Sequence, residues 1–276
     1  MRIAAPEFGA ISLIAVRAVI AGAILMIPIL AMNQLPILKQ YWKPIFLSGI
    51  LTTAIPFTLI AYSSIYLSAG FVSILNATVS IWSVLVGLVW LREKSSITAL
   101  VGVFVGFVGV VVLNGERLFG GETAGLAAVI AGLLATFFYA LAAPLRQLYL
   151  SGVHPVTITG GGQVASVIVL VPLSVFFLPE QLPSAEAWMS AAALGIFCTA
   201  VAFILFFQLL EAIGTPKTMS VAYVIPVTAI LMGYLALGEL VTTQMLVGGV
   251  LILLGVGFTN DIVRFPLKSA SNNLSK

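Results

Sequence analysis

Along this chain, apolar residues gather in runs of about twenty, the length that carries an α-helix across a hydrocarbon core. The runs predict nine helices, over residues 8–31, 43–66, 69–91, 96–114, 123–146, 156–178, 187–211, 217–238 and 241–263. Breaks such as NQLPILKQYWK, LREKSS, NGERLFGGETAG and PEQLPSAEA are short and polar or rich in Pro and Gly, which is how helices end. Only SSIYLSAG divides the second run from the third, the weakest boundary of the set. Arg17 interrupts the first run, which is also too long for a cleavable signal peptide. Alternating segments of about ten residues, as in a membrane β-barrel, are not found. The expected fold class is all-α, a polytopic membrane protein with a polar cytoplasmic tail over 264–276.

Composition agrees with this pattern. The chain is 61% hydrophobic and 8% charged, whereas soluble domains carry about 25% Asp, Glu, Lys and Arg. A water-exposed surface cannot be built from so few charges, which excludes a soluble enzyme or a nucleic-acid binder. Cys198 and His154 are the only residues of their kinds. Cys198 lies in an apolar run and is expected to pack as a small hydrophobe. A zinc site or a catalytic triad needs partners that are lacking, so no enzyme, metal or cofactor is expected. The partners expected are a lipid bilayer and a small-molecule substrate, with a homodimer left open.

The few charges carry orientation. With nine spans, Lys39, Lys43, Arg92, Lys94, Arg146, Lys217, Arg264, Lys268 and Lys276 share one face, and Arg2 and Arg117 share the other. This asymmetry puts the C-terminus in the cytoplasm and the N-terminus outside. Glu7, Glu116, Glu122, Glu180, Glu186 and Glu239 then fall on the outer side.

The chain also repeats itself. At an offset of 146, residues 42–114 match 188–260 without a gap. The identical pairs include Trp42/Trp188, Gly49/Gly195, Thr53/Thr199, Phe57/Phe203, Gly87/Gly233, Glu93/Glu239, Gly102/Gly248, Gly109/Gly255 and Asn114/Asn260. Glu93 falls on the cytoplasmic side by charge and Glu239 on the outer side, so the two copies are expected to be inverted. Inverted repeats are built to open one site alternately to each face, as transporters do.

The two copies end in the turns LVGLVWLREKSS and LMGYLALGELVTT, each followed by a Gly-rich helix. In this the chain resembles the EamA-type transporters of the drug/metabolite transporter superfamily, over essentially its whole length. The resemblance implies ten helices in two inverted five-helix repeats, and export of amino acids, other metabolites or toxic compounds across the bacterial inner (plasma) membrane. The repeats here read as residues 1–116, with four helices, and 117–263, with five. Arg17 aligns with Gln163, so the first span matches the second helix of a unit and the helix before it is missing. In the family that helix helps to line the central cavity. A secondary transporter is the leading reading, and a truncated, non-transporting protein or accessory subunit is the alternative.

Arg17 is the one ionisable residue deep in a span, where insertion costs about 2.5–3.5 kcal/mol unless it faces the bundle. It contacts either an anionic group, such as a substrate carboxylate, or polar groups of neighbouring helices. Tyr62, Asn76, Trp82, Tyr139, Gln163, Gln208 and Tyr223 also lie inside apolar runs. They are candidates for the substrate pathway or for helix–helix hydrogen bonds. Pro56 and Pro226 sit inside spans as hinges or static kinks. Ser80 stands where the other copy has Pro226, so the copies should kink unequally. Glu93 and Glu239 fit structural turns or caps better than proton carriage. Gly102, Gly106, Gly109, Gly248 and Gly255 should let helices approach closely. Arg17→Ala is expected to impair transport or assembly, and wild-type levels of both in that variant would sink the assignment.

Overall fold

The structure, a computed structural model, describes residues 1–93, 95–115, 123–213 and 221–260, without the side chains of 211, 213 and 221–223. Lys94, Glu116, Arg117, Glu122, Lys217, the tail 264–276 with Arg264, Lys268 and Lys276, and the Tyr223 side chain lie outside the described residues. In chain order the main helices are α1 (Ala10–Ala31), α2 (Trp42–Tyr66), α3 (Ala69–Leu91), α4 (Ile97–Leu113), α5 (Thr123–Tyr149), α6 (Pro155–Phe177), α7 (Ala185–Leu210), α8 (Val221–Leu237) and α9 (Thr243–Thr259). No strand occurs among the described residues. Six of these helices, α1 to α3 and α5 to α7, are long and apolar enough to cross a membrane. The other three have 17 residues each, about 25 Å of helix against a hydrocarbon core of about 30 Å.

Local chemistry sets the ends. Ser68, Ser96, Ser184 and Thr242 each accept the backbone N–H three residues on, capping α3, α4, α7 and α9. The faint boundary in SSIYLSAG is therefore real: Leu67 is extended and Ser68 starts the next helix. His154 Nδ1 accepts from Val156 N–H, and Pro155 opens α6, where its missing donor costs nothing.

Several local features recur at the offset of 146. A π-turn spans Ile50–Ala54 in α2 and Ile196–Val201 in α7. Arg92 and Gly238 both take left-handed backbone, at φ 53° and 63°. After each, Glu93 and Glu239 donate their N–H to the carbonyls of Gly87 and Gly233, at 3.2 and 3.0 Å. The helices α4 and α9 begin and end at equivalent residues.

The two copies kink unequally, as expected, but the interruption is not at the proline. Helix α3, with Ser80 and no proline, is interrupted at Thr78, while α8 runs as one helix through Pro226. At Thr78 the hydroxyl bonds the Leu75 carbonyl and lies 3.0 Å from the buried Thr136 hydroxyl of α5. A side chain inserted into the backbone ladder bends a helix as proline does. Pro56 falls in the first turn after the π-turn of α2. The second copy keeps its π-turn with Ala202 there, so proline is not its cause.

Packing depends on glycine. A Cβ at Gly49 of α2 would stand 2.5 Å from Gly162 Cα of α6, and one at Gly102 of α4 would stand 2.6 Å from the Gly255 carbonyl of α9. Both contacts are backbone against backbone, as in close membrane-helix packing. Outward faces are apolar: Val89 is 84% exposed and Phe104 70%. Cys198 is on such a face, beside exposed Phe197, and not packed inside as expected. The turn of the helix that buries Thr199 and Ala200 faces Phe197 and Cys198 away from the bundle.

Gly49→Ala is expected to cost about 1–3 kcal/mol, because no side chain can yield to the added methyl. Gly22→Ala meets Gln163 Cβ at an ordinary 3.5 Å and should be tolerated. Thermal unfolding of the two variants in detergent checks the contrast.

Candidate functional site

Helices α2, α3, α5, α7 and α8 border a cavity of about 380 Å³, within the size range of small-molecule sites. Its walls include Phe57 and Ser64 of α2, Ser73 and Asn76 of α3, Tyr139 of α5 and Ser190 of α7. Apolar surface dominates. The Ser64 and Ser73 hydroxyls donate to carbonyls of their own helices, Ile60 and Gly70, so each offers the cavity a lone pair. Asn76 Oδ1 is buried with no partner among the described residues. The interruption at Thr78 lies two residues from Asn76 and frees this stretch of α3 from a regular ladder.

Arg17 lies behind this wall. Its residue is 4% exposed, and its guanidinium carbon sits 3.6 Å from the centroid of the Phe57 ring. The same ring meets Tyr139 edge-on at 6.0 Å. Arg17 Nε donates to Thr199 Oγ1 at 2.7 Å, and Thr199 Oγ1 donates to the Leu194 carbonyl at 2.7 Å. The order is fixed chemically: guanidinium only donates and a carbonyl only accepts, so the hydroxyl must relay. The Leu194 carbonyl lies five residues before Thr199, just ahead of the π-turn of α7. Arg17 Nη1 remains buried with no partner among the described residues.

One end of the cavity is lined by Met1, Arg2 and Ile3. Arg2 Nε pairs with Glu239 Oε1 at 3.0 Å, and its Nη1 donates to the carbonyls of Ser64 and Ile65. Glu239 Oε2 accepts the Ala69 N–H at 2.8 Å. Glu239 therefore caps α3, far away in sequence, in addition to shaping its own turn. Glu7 and Ser184 join at the same end.

The EamA-like transporter family matches this chain twice, over residues 1–115 and 126–260. The chain belongs to the EamA-like transporter family. It is a multi-pass membrane protein. Similar relatives include an uncharacterized transporter of Archaeoglobus fulgidus, 27% identical over 78% of this chain and 77% of the relative. Uncharacterized transporter YdfC of Bacillus subtilis is 28% identical over 86% and 77% of the two chains. Protein PecM of Dickeya dadantii is 27% identical over 91% and 82%. A crystal structure of similar fold superposes with a TM-score of 0.66 at 20% identity, covering 95% of this chain and 92% of the other.

Of the candidate residues in this EamA chain, Asn76 and Tyr139 line the cavity, and Arg17 reaches its wall through Phe57. The other described candidates lie elsewhere. Trp82 packs edge-on against Phe107 and Phe137, with its Nε1 buried and unpaired among the described residues. Gln163 is fully buried beside Gly22, and neither of its amide atoms has a partner there. Tyr62 packs against Tyr66 and borders a separate groove of about 880 Å³ near Glu7 and Glu180. Gln208 is exposed on α7.

Sequence reasoning singled out neither Phe57 nor Thr199 as site residues, although both belong to identical pairs of the repeat. It counted Arg146 only as a charge. Arg146 Nε donates to Ser48 Oγ at 2.9 Å and its Nη2 to Thr52 Oγ1 at 3.3 Å, beside the π-turn of α2. The π-turns of α2 and α7 thus each meet an arginine from the other half of the chain. Nothing in the local sequence of α5 signals this.

Thr199→Val removes the relay and leaves Arg17 Nε without its hydrogen-bond partner. A loss of about 1.5–3 kcal/mol is expected for a hydrogen bond to a charged group. Thr199→Ser should retain most of the stability. Unfolding midpoints of the purified proteins distinguish the two.

Proposed function

We propose that this chain is a secondary transporter that exports small organic metabolites across the inner membrane by alternating access. The observation that carries the reading is the mostly apolar cavity, bordered by helices from both copies of the repeat and holding a few inward polar groups. Family membership supports the transporter class. The recurrence of π-turns, left-handed turns and helix ends at one offset supports two equivalent halves. Gathering of Arg2, Glu7, Ser184 and Glu239 at one end supports the inverted arrangement, since all four belong outside by the charge pattern. The same pattern supports an external N-terminus and a cytoplasmic C-terminus.

In this mechanism the substrate sits among Phe57, Tyr139 and Asn76 while the halves rock about it. The ends close in turn, and Arg2 with Glu239 closes one of them. Deep carboxylates are absent from the predicted spans, which favours passage down a gradient over a carboxylate proton relay.

Cells overexpressing the chain are expected to resist, and accumulate less of, at least one compound in a panel of amino acids and dyes. Asn76→Leu should abolish the effect while leaving membrane abundance unchanged. A panel with no difference from empty-vector cells would return the chain to the accessory-subunit reading.

A further inference from the structure

A buried guanidinium without a counter-charge is an expensive group to keep in a bilayer. Arg17 is such a group. Its hydrogen bond to Thr199 is with a neutral hydroxyl, its stacking partner is a neutral ring, and its Nη1 is unpaired among the described residues. Among the described residues, no carboxylate lines the cavity beyond Phe57. At the end lined by Arg2, Glu239 is already engaged by Arg2 and the Ala69 N–H. Arg17 thus stands behind the cavity wall with no acid against it among the described residues.

The other unsatisfied atom is Asn76 Oδ1, an acceptor on the cavity wall. With the lone pairs of Ser64 and Ser73, it suits an O–H or N–H donor. An apolar body would lie against Phe57 and Tyr139.

Resting on the reading of this cavity as the substrate site, we infer that Arg17 selects organic acids that carry a neutral O–H or N–H donor, and disfavours organic cations. The carboxylate supplies the missing counter-charge and the donor meets Asn76. In this conformation the Phe57 ring separates Arg17 from the cavity. The arginine therefore acts as a positioning and selectivity residue through its field, which is strong where water is excluded.

Gln163, the residue aligned with Arg17, provides a neutral replacement that the second copy already accommodates. The test uses three probes sharing a phenyl ring and a hydroxyl: mandelate, mandelamide and protonated 2-amino-1-phenylethanol. Binding is measured by titration calorimetry on the full chain in nanodiscs at pH 7. Mandelate should bind at least about tenfold more tightly than the amine, with the amide between them. Arg17→Lys should preserve the ranking, and Arg17→Gln should collapse it to within about threefold. Should Arg17→Gln fail to fold, Asn76→Asp supplies the independent arm, since a carboxylate in the wall should reverse the ranking. Equal binding of the three probes, a preference for the amine, or a ranking unchanged by Arg17→Gln or by Asn76→Asp overturns the selectivity inference and leaves the cavity as a binding site. Binding of none of them overturns the cavity reading itself, and the selectivity with it.

Discussion

Inside hydrocarbon, a backbone carbonyl released from its helix has no water to turn to, so something in the chain must serve it. Two of the three π-turns among the described residues fall at equivalent places in α2 and α7. In α7 the Thr199 hydroxyl serves Leu194, and its remaining lone pair receives Arg17. In α2 the Thr52 hydroxyl serves Ser48, and Arg146 bonds both of those side chains. A local irregularity of the backbone thereby becomes a cross-link between halves of the molecule. Arg17 could not otherwise sit where it does.

Close approach of helices provides the second constraint. Gly49 against Gly162 and Gly102 against Gly255 bring backbones together with no side chain between them. Contact at that range joins α2 to α6 and α4 to α9, while Phe57, Asn76 and Tyr139 line the cavity from α2, α3 and α5. Irregular helix lies near these residues, at the π-turn of α2 and at Thr78 of α3. Irregular backbone is tolerated at this depth where protein or a cavity surrounds it.

Much of this was readable in advance from the chain. Length and hydropathy located the helices, because a bilayer enforces about twenty apolar residues per span. The turns at Glu93 and Glu239 were visible as matched motifs, and their geometry is matched as well. Arg17 stood out because charge is so rare in the apolar runs. Its partners were not readable: Thr199 lies 182 positions away, and one more threonine in an apolar helix carries no signal of its own. Tyr62 and Gln208 looked equivalent to Asn76 in sequence, yet one borders a separate groove and the other faces outward. Helical position, not polarity, separates them.

The sequence by itself determined that this is a helical membrane protein made of two related copies, with one buried cation. Those properties follow from one-dimensional quantities: run length, charge count and offset. Tertiary structure decided which polar atoms are satisfied and which are left open to the cavity. That choice depends on distances of a few ångströms between helices remote in sequence. It is made when the helices pack, and only then do Phe57, Tyr139 and Asn76 line one cavity with Arg17 behind the Phe57 ring.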